Sequence, residues 1–235
     1  MIVLAFDTAT ADTAVGLATG GAAARTARHT PASGERPGHV AQLLGLARGL
    51  LAEAGIGWAE VERLGVGTGP GSFTGLRIGV ATARALAQAG GQELVGVSTL
   101  EALARGVASA PDVAAAPGRG VDPTVLACLD ARRGEAFVGA WRGDALVFPP
   151  RAVVPEALAG LLAGRGAWRA AGDGSVRFRA QLEAAGAHVP PDDSALHHVS
   201  GARLCELALE ASPAGHDTLE PEYVRAPDAV PKHLR

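Results

Sequence analysis

The residues best placed to do chemistry lie in Gly67-Thr68-Gly69-Pro70-Gly71-Ser72-Phe73-Thr74-Gly75-Leu76-Arg77-Ile78-Gly79, where a short apolar run passes into a helical pattern. Glycines at such a junction let the backbone take positive φ, and the exposed amides and dipole of a helix N-terminus favour an anion. The segment reads either as a phosphate or carboxylate cradle or as a tight turn whose glycines let two backbones approach. It is not a P-loop, because no Gly-Lys-Ser/Thr follows, and it lacks the G-x-G-x-x-G of a dinucleotide fold. Ser72 as a nucleophile would need a histidine and an acid converging on it. His29, His39, His188, His197, His198, His216 and His233 have no spacing that supplies them, and His197 and His198 read as solvated neighbours.

Asp7 and Asp130 each close an apolar run and precede a small polar turn. Carboxylates so placed hold Mg²⁺ against ATP phosphates in sugar-kinase and actin-like ATPases. The alternative is that Asp7 organises its own turn through an Asx hydrogen bond, and the second half offers no matching acidic or Gly-rich phosphate loop. Gly172-Asp173-Gly174 is a short imitation of an adenosine loop.

The elements that must position these residues follow from periodicity. Ile2 to Phe6, Ala14 to Ala18 and Ala22 to His29 read as three strands, the last two joined by a Gly20-Gly21 turn. Val40, Leu43, Leu44, Ala47, Leu50, Leu51 and Ala54 recur at helical spacing, so a helix is predicted over 39–54, ended by Gly55. Adding Leu46 widens its apolar arc, which predicts partial exposure of that face. A strand over Leu64–Thr68 feeds a helix over 74–89. A strand over Leu94–Val97 feeds Ser98-Thr99-Leu100-Glu101, which has capping-box spacing. Residues 109–123, rich in Ala, Pro and Gly, read as a linker between units 1–108 and 124–235. The second unit repeats the plan: a strand over Val125–Leu129 ending in Asp130, a hairpin of Glu135–Trp141 with Ala145–Phe148, then helices near 155–163, 175–185 and 199–211. The whole reads as α/β with a degenerate structural duplication.

Composition excludes several classes. The 235 residues are 48% hydrophobic and 19% charged, with a net charge of −3, which argues against strong electrostatic binding of nucleic acid by this chain alone. Lys232 is the one lysine among 21 basic residues. Cys128 and Cys205 lie far apart in apolar contexts and read as buried free thiols. The N-terminus lacks the basic start of a signal peptide, and no apolar run reaches the length of about eighteen residues that spans a membrane. A cytoplasmic location without membrane contact is expected.

Taken together, Leu4-Ala5-Phe6-Asp7-Thr8-Ala9-Thr10, the run Gly69–Gly79 with Ala81 and Ala85 behind it, Leu94–Leu103, Asp130-Ala131-Arg132-Arg133-Gly134-Glu135 and Pro221-Glu222-Tyr223-Val224-Arg225 resemble the TsaB (YeaZ) family. The anchors span almost the whole chain. The resemblance implies an actin/sugar-kinase-like (ASKHA) fold of two related subdomains, each with a mixed sheet flanked by helices. It implies a non-catalytic subunit in the formation of N6-threonylcarbamoyladenosine in tRNA, working with a catalytic TsaD-type paralogue and a TsaE-type ATPase. ATP and metal are then expected on those partners, with no cofactor on this chain, tRNA contacted indirectly through the complex, and self-pairing as a homodimer an alternative association. The paralogue carries a His-x-x-x-His metal pair after the equivalent of Val97. Here Thr99 and Leu103 stand at those positions, and neither replaces an imidazole.

By the same resemblance the partner interface falls on the two long helices, at Val40, Leu43, Leu44, Ala47, Leu51, Arg77, Ile78 and Ala81, while Asp7, Thr8, Gly69, Gly71 and Ser72 form a vestigial nucleotide or anion loop. Two departures stand out. Pro37-Gly38-His39-Val40-Ala41-Gln42 lacks the His-Ser-Glu of many relatives, and Thr68 replaces a frequent Arg. The competing readings are a stand-alone ATP-dependent small-molecule kinase or hydrolase, and a peptidase.

Overall fold

The computed structural model of the chain describes residues 1–110, 124–163 and 166–225; most of the expected linker, 111–123, lies outside them. Lobe 1 is built on a five-stranded sheet. Strands β1 (Ile2–Asp7), β2 (Thr13–Thr19), β3 (Arg25–His29), β4 (Arg63–Gly69) and β5 (Glu93–Ser98) lie in the order β3-β2-β1-β4-β5. The first three pair antiparallel, and β4 and β5 add parallel to β1. Lobe 2 has β6 (Thr124–Asp130), β7 (Ala136–Arg142), β8 (Ala145–Val153), β9 (Trp168–Ala171) and β10 (Ala187–His188), ordered β10-β9-β6-β7-β8. Renumbered within its own lobe, the second sheet has the order and strand directions of the first. The duplication read in the sequence is therefore topological, and the architecture is the doubled mixed-sheet unit of actin- and sugar-kinase-like folds.

Helices α1 (His39–Ala54) and α2 (Phe73–Gly90) supply the crossovers of lobe 1. Their inward faces bury Leu43, Ala47, Leu50 and Leu51 together with Val80, Ala83 and Ala87 against Leu4, Phe6, Val15 and Val66. Both helices end at a left-handed glycine, Gly55 and Gly91, the residue that takes that conformation without a Cβ penalty. Helix α3 (Thr99–Ala108) follows β5 but joins the lobes: Leu100, Leu103, Ala104 and Val107 share one core with Val125, Leu129, Phe137 and Trp141 of lobe 2. Only half of its expected capping box forms. Ser98 Oγ accepts from the Glu101 amide at 3.3 Å, while Glu101 turns to Arg105 at 2.8 Å.

Lobe 2 adds α4 (Leu158–Leu162), α5 (Asp173–Arg177) and α6 (Arg179–Ala184). The single helix expected over 175–185 is thus two, broken at Phe178. Strands β9 and β10 had no separate sequence signal, being four and two residues long.

Helix α7 (Gly201–Glu210) crosses back. The expected unit 124–235 supplies the whole second sheet, yet Leu204, Cys205, Leu207 and Ala208 pack on Val3, Ala5, Ala14, Val95 and Val97 of the first. Small residues allow this, since a Cβ on Gly16 would stand 2.0 Å from the Gly201 carbonyl oxygen. Arg63 caps the far end of the helix, donating to the carbonyls of Ala208 and Leu209 at 2.8 and 3.1 Å and pairing with Glu93. Both cysteines are free and buried, as expected, and burial pushes both thiols up, that of Cys205 to about 12.

Candidate functional site

The glycine-rich loop closes on the turn after β1. Ser72 caps α2, its Oγ accepting from the Gly75 amide at 3.3 Å, and its own amide donates to the Ala9 carbonyl at 2.7 Å. Thr8 Oγ1 donates to the Gly75 carbonyl at 2.7 Å. Cβ atoms on Gly71 and Gly75 would stand 2.4 and 1.9 Å from the carbonyl oxygens of Ala9 and Thr8. Of the five glycines in Gly67–Gly79, only Gly69 takes a positive φ, 121°. The glycines mainly admit a second backbone, the packing alternative read from the sequence.

Asp7 is fully internal. Its Oδ1 accepts from the Ala9 amide at 2.8 Å, the Asx turn, and its Oδ2 accepts from Thr99 Oγ1 at 2.6 Å. Burial raises its carboxyl above the ordinary range, against those two hydrogen bonds. Gly67 leaves room for it, since a Cβ there would lie 1.8 Å from Oδ2. Thr99 thus commits its hydroxyl to Asp7, and Leu103 is 1% exposed in the inter-lobe core. The bond between Thr99 and Asp7 had no sequence signal, because it joins residues 92 apart.

Between the lobes lies a cleft of about 460 Å³. Lobe 1 contributes Ala9, Thr10, Gly71, Ser72 and Phe73; lobe 2 contributes Asp130, Arg132 and Arg133; the C-terminal segment contributes Tyr223 and Arg225. Of the expected anion-loop residues, Gly71 and Ser72 reach this wall, while Asp7, Thr8 and Gly69 do not. Arg132 and Arg133 both take positive φ, 62° and 54°. Asp130 Oδ2 accepts from Arg132 and Arg177 at 3.2 and 2.8 Å. Gly172-Asp173-Gly174 packs on the end of β6, with Asp173 Oδ1 accepting from the Asp130 amide at 3.0 Å. Among the described residues no histidine lines the cleft beside Ser72.

The histidines differ from expectation. His197 is buried, taking the Gly172 amide on Nδ1 at 3.2 Å, with Nε2 3.0 Å from the Pro191 carbonyl oxygen. His198 pairs with Asp12 at 2.5 Å, and although burial pushes Asp12 up, this partner holds it below the ordinary range. Neither stands free in solvent: His197 is buried in lobe 2, and the half-buried His198 reaches Asp12 of lobe 1. His39, also buried, lies 2.9 Å from Thr13 Oγ1, and burial lowers its pKa. Among the described residues no three His, Cys, Asp or Glu side chains converge as a metal site, and no helix is long and apolar enough to cross a membrane.

The long helices divide the expected interface residues. Leu43, Ala47 and Leu51 are at most 2% exposed and belong to the core, a correction, because the sheet claims that face of α1. Val40 and Leu44 are 78% and 48% exposed. On α2, Arg77 and Ala81 are exposed and Ile78 is half-buried. Beside Leu44 runs a groove of about 470 Å³ formed by Ala41, Gly45, Arg48, Trp58 and Leu86.

Residues 30–153 match the family model described as TsaD: tRNA N6-adenosine threonylcarbamoyltransferase. The tRNA threonylcarbamoyladenosine biosynthesis protein TsaB of Escherichia coli (strain K12) is 33% identical over 144 residues, 61% of this chain and 56% of that protein. The protein of the same name from Bacillus subtilis (strain 168) is 32% identical over 104 residues, 44% of this chain and 41% of that protein. The chain spans about half the length of the curated relatives it matches. Among solved structures, YeaZ from Pseudomonas aeruginosa superposes with a TM-score of 0.74 at 26% identity, covering 94% of this chain and 99% of that one. With the matched model covering more than half of the chain and the same two-lobed fold throughout, the chain belongs to the TsaD family and, within it, to the TsaB (YeaZ) proteins.

Proposed function

We propose that this chain is a non-catalytic subunit of the machinery that forms N6-threonylcarbamoyladenosine in tRNA. It docks on a metal-binding TsaD-type paralogue, stabilises and activates it, and helps form the place where a TsaE-type ATPase engages. The observation that carries the reading is the pair Thr99 and Leu103. These stand where the paralogue's histidines would, and here one hydroxyl is spent on Asp7 and the other side chain is sealed in the inter-lobe core. What remains for function is surface. Val40 and Leu44 on α1 and Arg77 and Ala81 on α2 are exposed, and the apolar pair on α1 adjoins a groove, the kind of surface that receives another helix. A second copy of the chain is the alternative occupant in the absence of the paralogue.

The test is a reconstituted reaction with tRNA, threonylcarbamoyl donor and partners. Leaving this chain out is expected to abolish modification, and full activity without it would overturn the proposal. Leu44→Asp is expected to lose co-purification with the paralogue while leaving the thermal midpoint unchanged. In this reading Asp7, Thr8, Gly69, Gly71 and Ser72 are the remnant of an anion loop turned to packing. Calorimetry of the isolated chain with Mg-ATP is expected to show no binding that Asp7→Ala removes. Tight binding lost in that variant would favour a stand-alone kinase.

A further inference from the structure

After α7 the chain does not stay on lobe 1. Ala214 bridges to the edge strand at Leu94, its amide donating to the Leu94 carbonyl at 2.7 Å, and His216 Nε2 lies 3.1 Å from the Gln92 carbonyl oxygen. Leu219 packs on the lobe 1 core. The Glu222 amide then donates to the Thr68 carbonyl at 2.7 Å. The Tyr223 ring lies 5.5 Å from that of Phe73, and its hydroxyl accepts from Arg77 Nε at 3.2 Å. Within two residues the chain has changed lobes. Val224 packs on the inter-lobe core, and Arg225 donates to the Ala131 carbonyl at 3.3 Å and to Glu135 Oε2 at 2.7 Å.

We infer that residues 214–225 are a strap that fixes how far the inter-lobe cleft opens, with the Arg225–Glu135 pair as its latch. The physical basis is reach. An extended chain spans at most ~3.5 Å per residue, so the three steps from Glu222 to Arg225 cover no more than about 11 Å, to which the Arg225 side chain adds only its own length. Opening the cleft mouth beyond that requires one anchor to let go. On lobe 1 the anchors include backbone bonds; on lobe 2, among the described residues, they are side-chain contacts, with Val224 on the inter-lobe core and the Arg225 guanidinium on the Ala131 carbonyl, the Glu135 carboxylate and the Phe137 ring, 6.0 Å away. The lobe 2 end is therefore the one that releases. Helix α3 ties the lobes through a shared core, and the segment before α7 ties them again, with His197 held by Gly172 of lobe 2 and His198 by Asp12 of lobe 1; the strap adds a tie at the cleft mouth itself. This inference does not depend on the partner assignment above.

Spin labels on Glu53→Cys in α1 and Glu156→Cys after β8, both exposed, report the lobe-to-lobe distance in the full chain. The two native thiols are buried and stay unlabelled. Pulsed dipolar spectroscopy is expected to give one narrow distance distribution with the strap intact. Arg225→Ala is expected to broaden it or lengthen it by ~3.5 Å or more, one residue's reach. Glu135→Gln reads the same latch from the other side should Arg225→Ala fold poorly, and Tyr223→Ala should act in the same direction. Distributions unchanged in all three variants, with melting curves showing them folded, would overturn the strap.

Discussion

At the end of β1, Asp7 turns back so that Oδ1 accepts from the amide two residues on; at the end of β6, Asp130 does the same with the amide of Arg132, at 2.9 Å. In each lobe the loop after the fourth strand packs against this turn, Gly69–Ser72 in one and Gly172–Gly174 in the other. The second carboxylate oxygen tells the lobes apart. That of Asp7 is buried and met by a neutral hydroxyl, Thr99. That of Asp130 lies at the cleft and is met by two guanidinium groups. One copy of the turn has become core, while the other still faces the space where a ligand or partner segment would lie. Duplication preserved the backbone device, and burial decided its chemistry.

The sharpest way to break the comparison is to fill the space around Asp7. Gly67→Ala puts a Cβ 1.8 Å from Oδ2 and is expected to cost about 3 kcal/mol or more, read from urea unfolding. In an Asp7→Ala background the same substitution should cost clearly less, because the atom it strikes is gone. Equal costs in the two backgrounds would mean that Gly67 serves the strand and not the carboxylate.

Thr99→Val comes next. It keeps the shape but removes the donor, leaving a buried carboxylate oxygen without a partner, at a cost of about 2 kcal/mol. No measurable loss at neutral pH would mean that water or another donor reaches Asp7.

How much of this was legible in sequence follows from range. The motif Gly67–Gly79, the two long helices and the repeated strand–Asp plan are local patterns, and each formed within a residue or two of where it was read. Period alone placed Leu43, Ala47 and Leu51 on an apolar arc with Val40 and Leu44. It could not say that the sheet takes the first three and leaves the other two outside, because that depends on how far α1 sits from β2. The bond from Thr99 to Asp7, the pair of His198 with Asp12 and the return of α7 to lobe 1 join residues 92 or more apart. No local pattern encodes them. The adjacent His197 and His198 show the same limit, since exposure was inferred from polarity, while the fold buries His197 and pairs the half-buried His198 with Asp12.

Acidity offers a third separation of the two turns. The folded-state pKa of Asp7 lies above its unfolded value, so its contribution is fully present below the unfolded pKa, near 3.8, and is lost as pH rises through the folded one. Asp7→Asn keeps the Asx turn and cannot ionise. Its stability relative to the parent is therefore expected to rise between pH 4 and pH 8. A relative stability that falls over that interval would mean that the ionised carboxylate is favoured in the fold, as at a cation site.

The smallest expected effect belongs to Asp130→Asn. The substitution keeps an oxygen for the Arg132 amide and removes the charge of a carboxylate, itself 8% exposed, that faces Arg132 and Arg177, which are 72% and 47% exposed. Ion pairs with so much water around the cation contribute less than about 1 kcal/mol, and the Debye length falls from about 10 Å at 0.1 M salt to about 3 Å at 1 M. The loss should therefore be small at low salt and nearly vanish at high salt. The cost of Thr99→Val should be the same at both, because no ions reach a sealed carboxylate. If Asp130→Asn instead cost as much as Thr99→Val and ignored salt, the two turns would be energetically equivalent, and the cleft would owe its arginines to something other than this carboxylate.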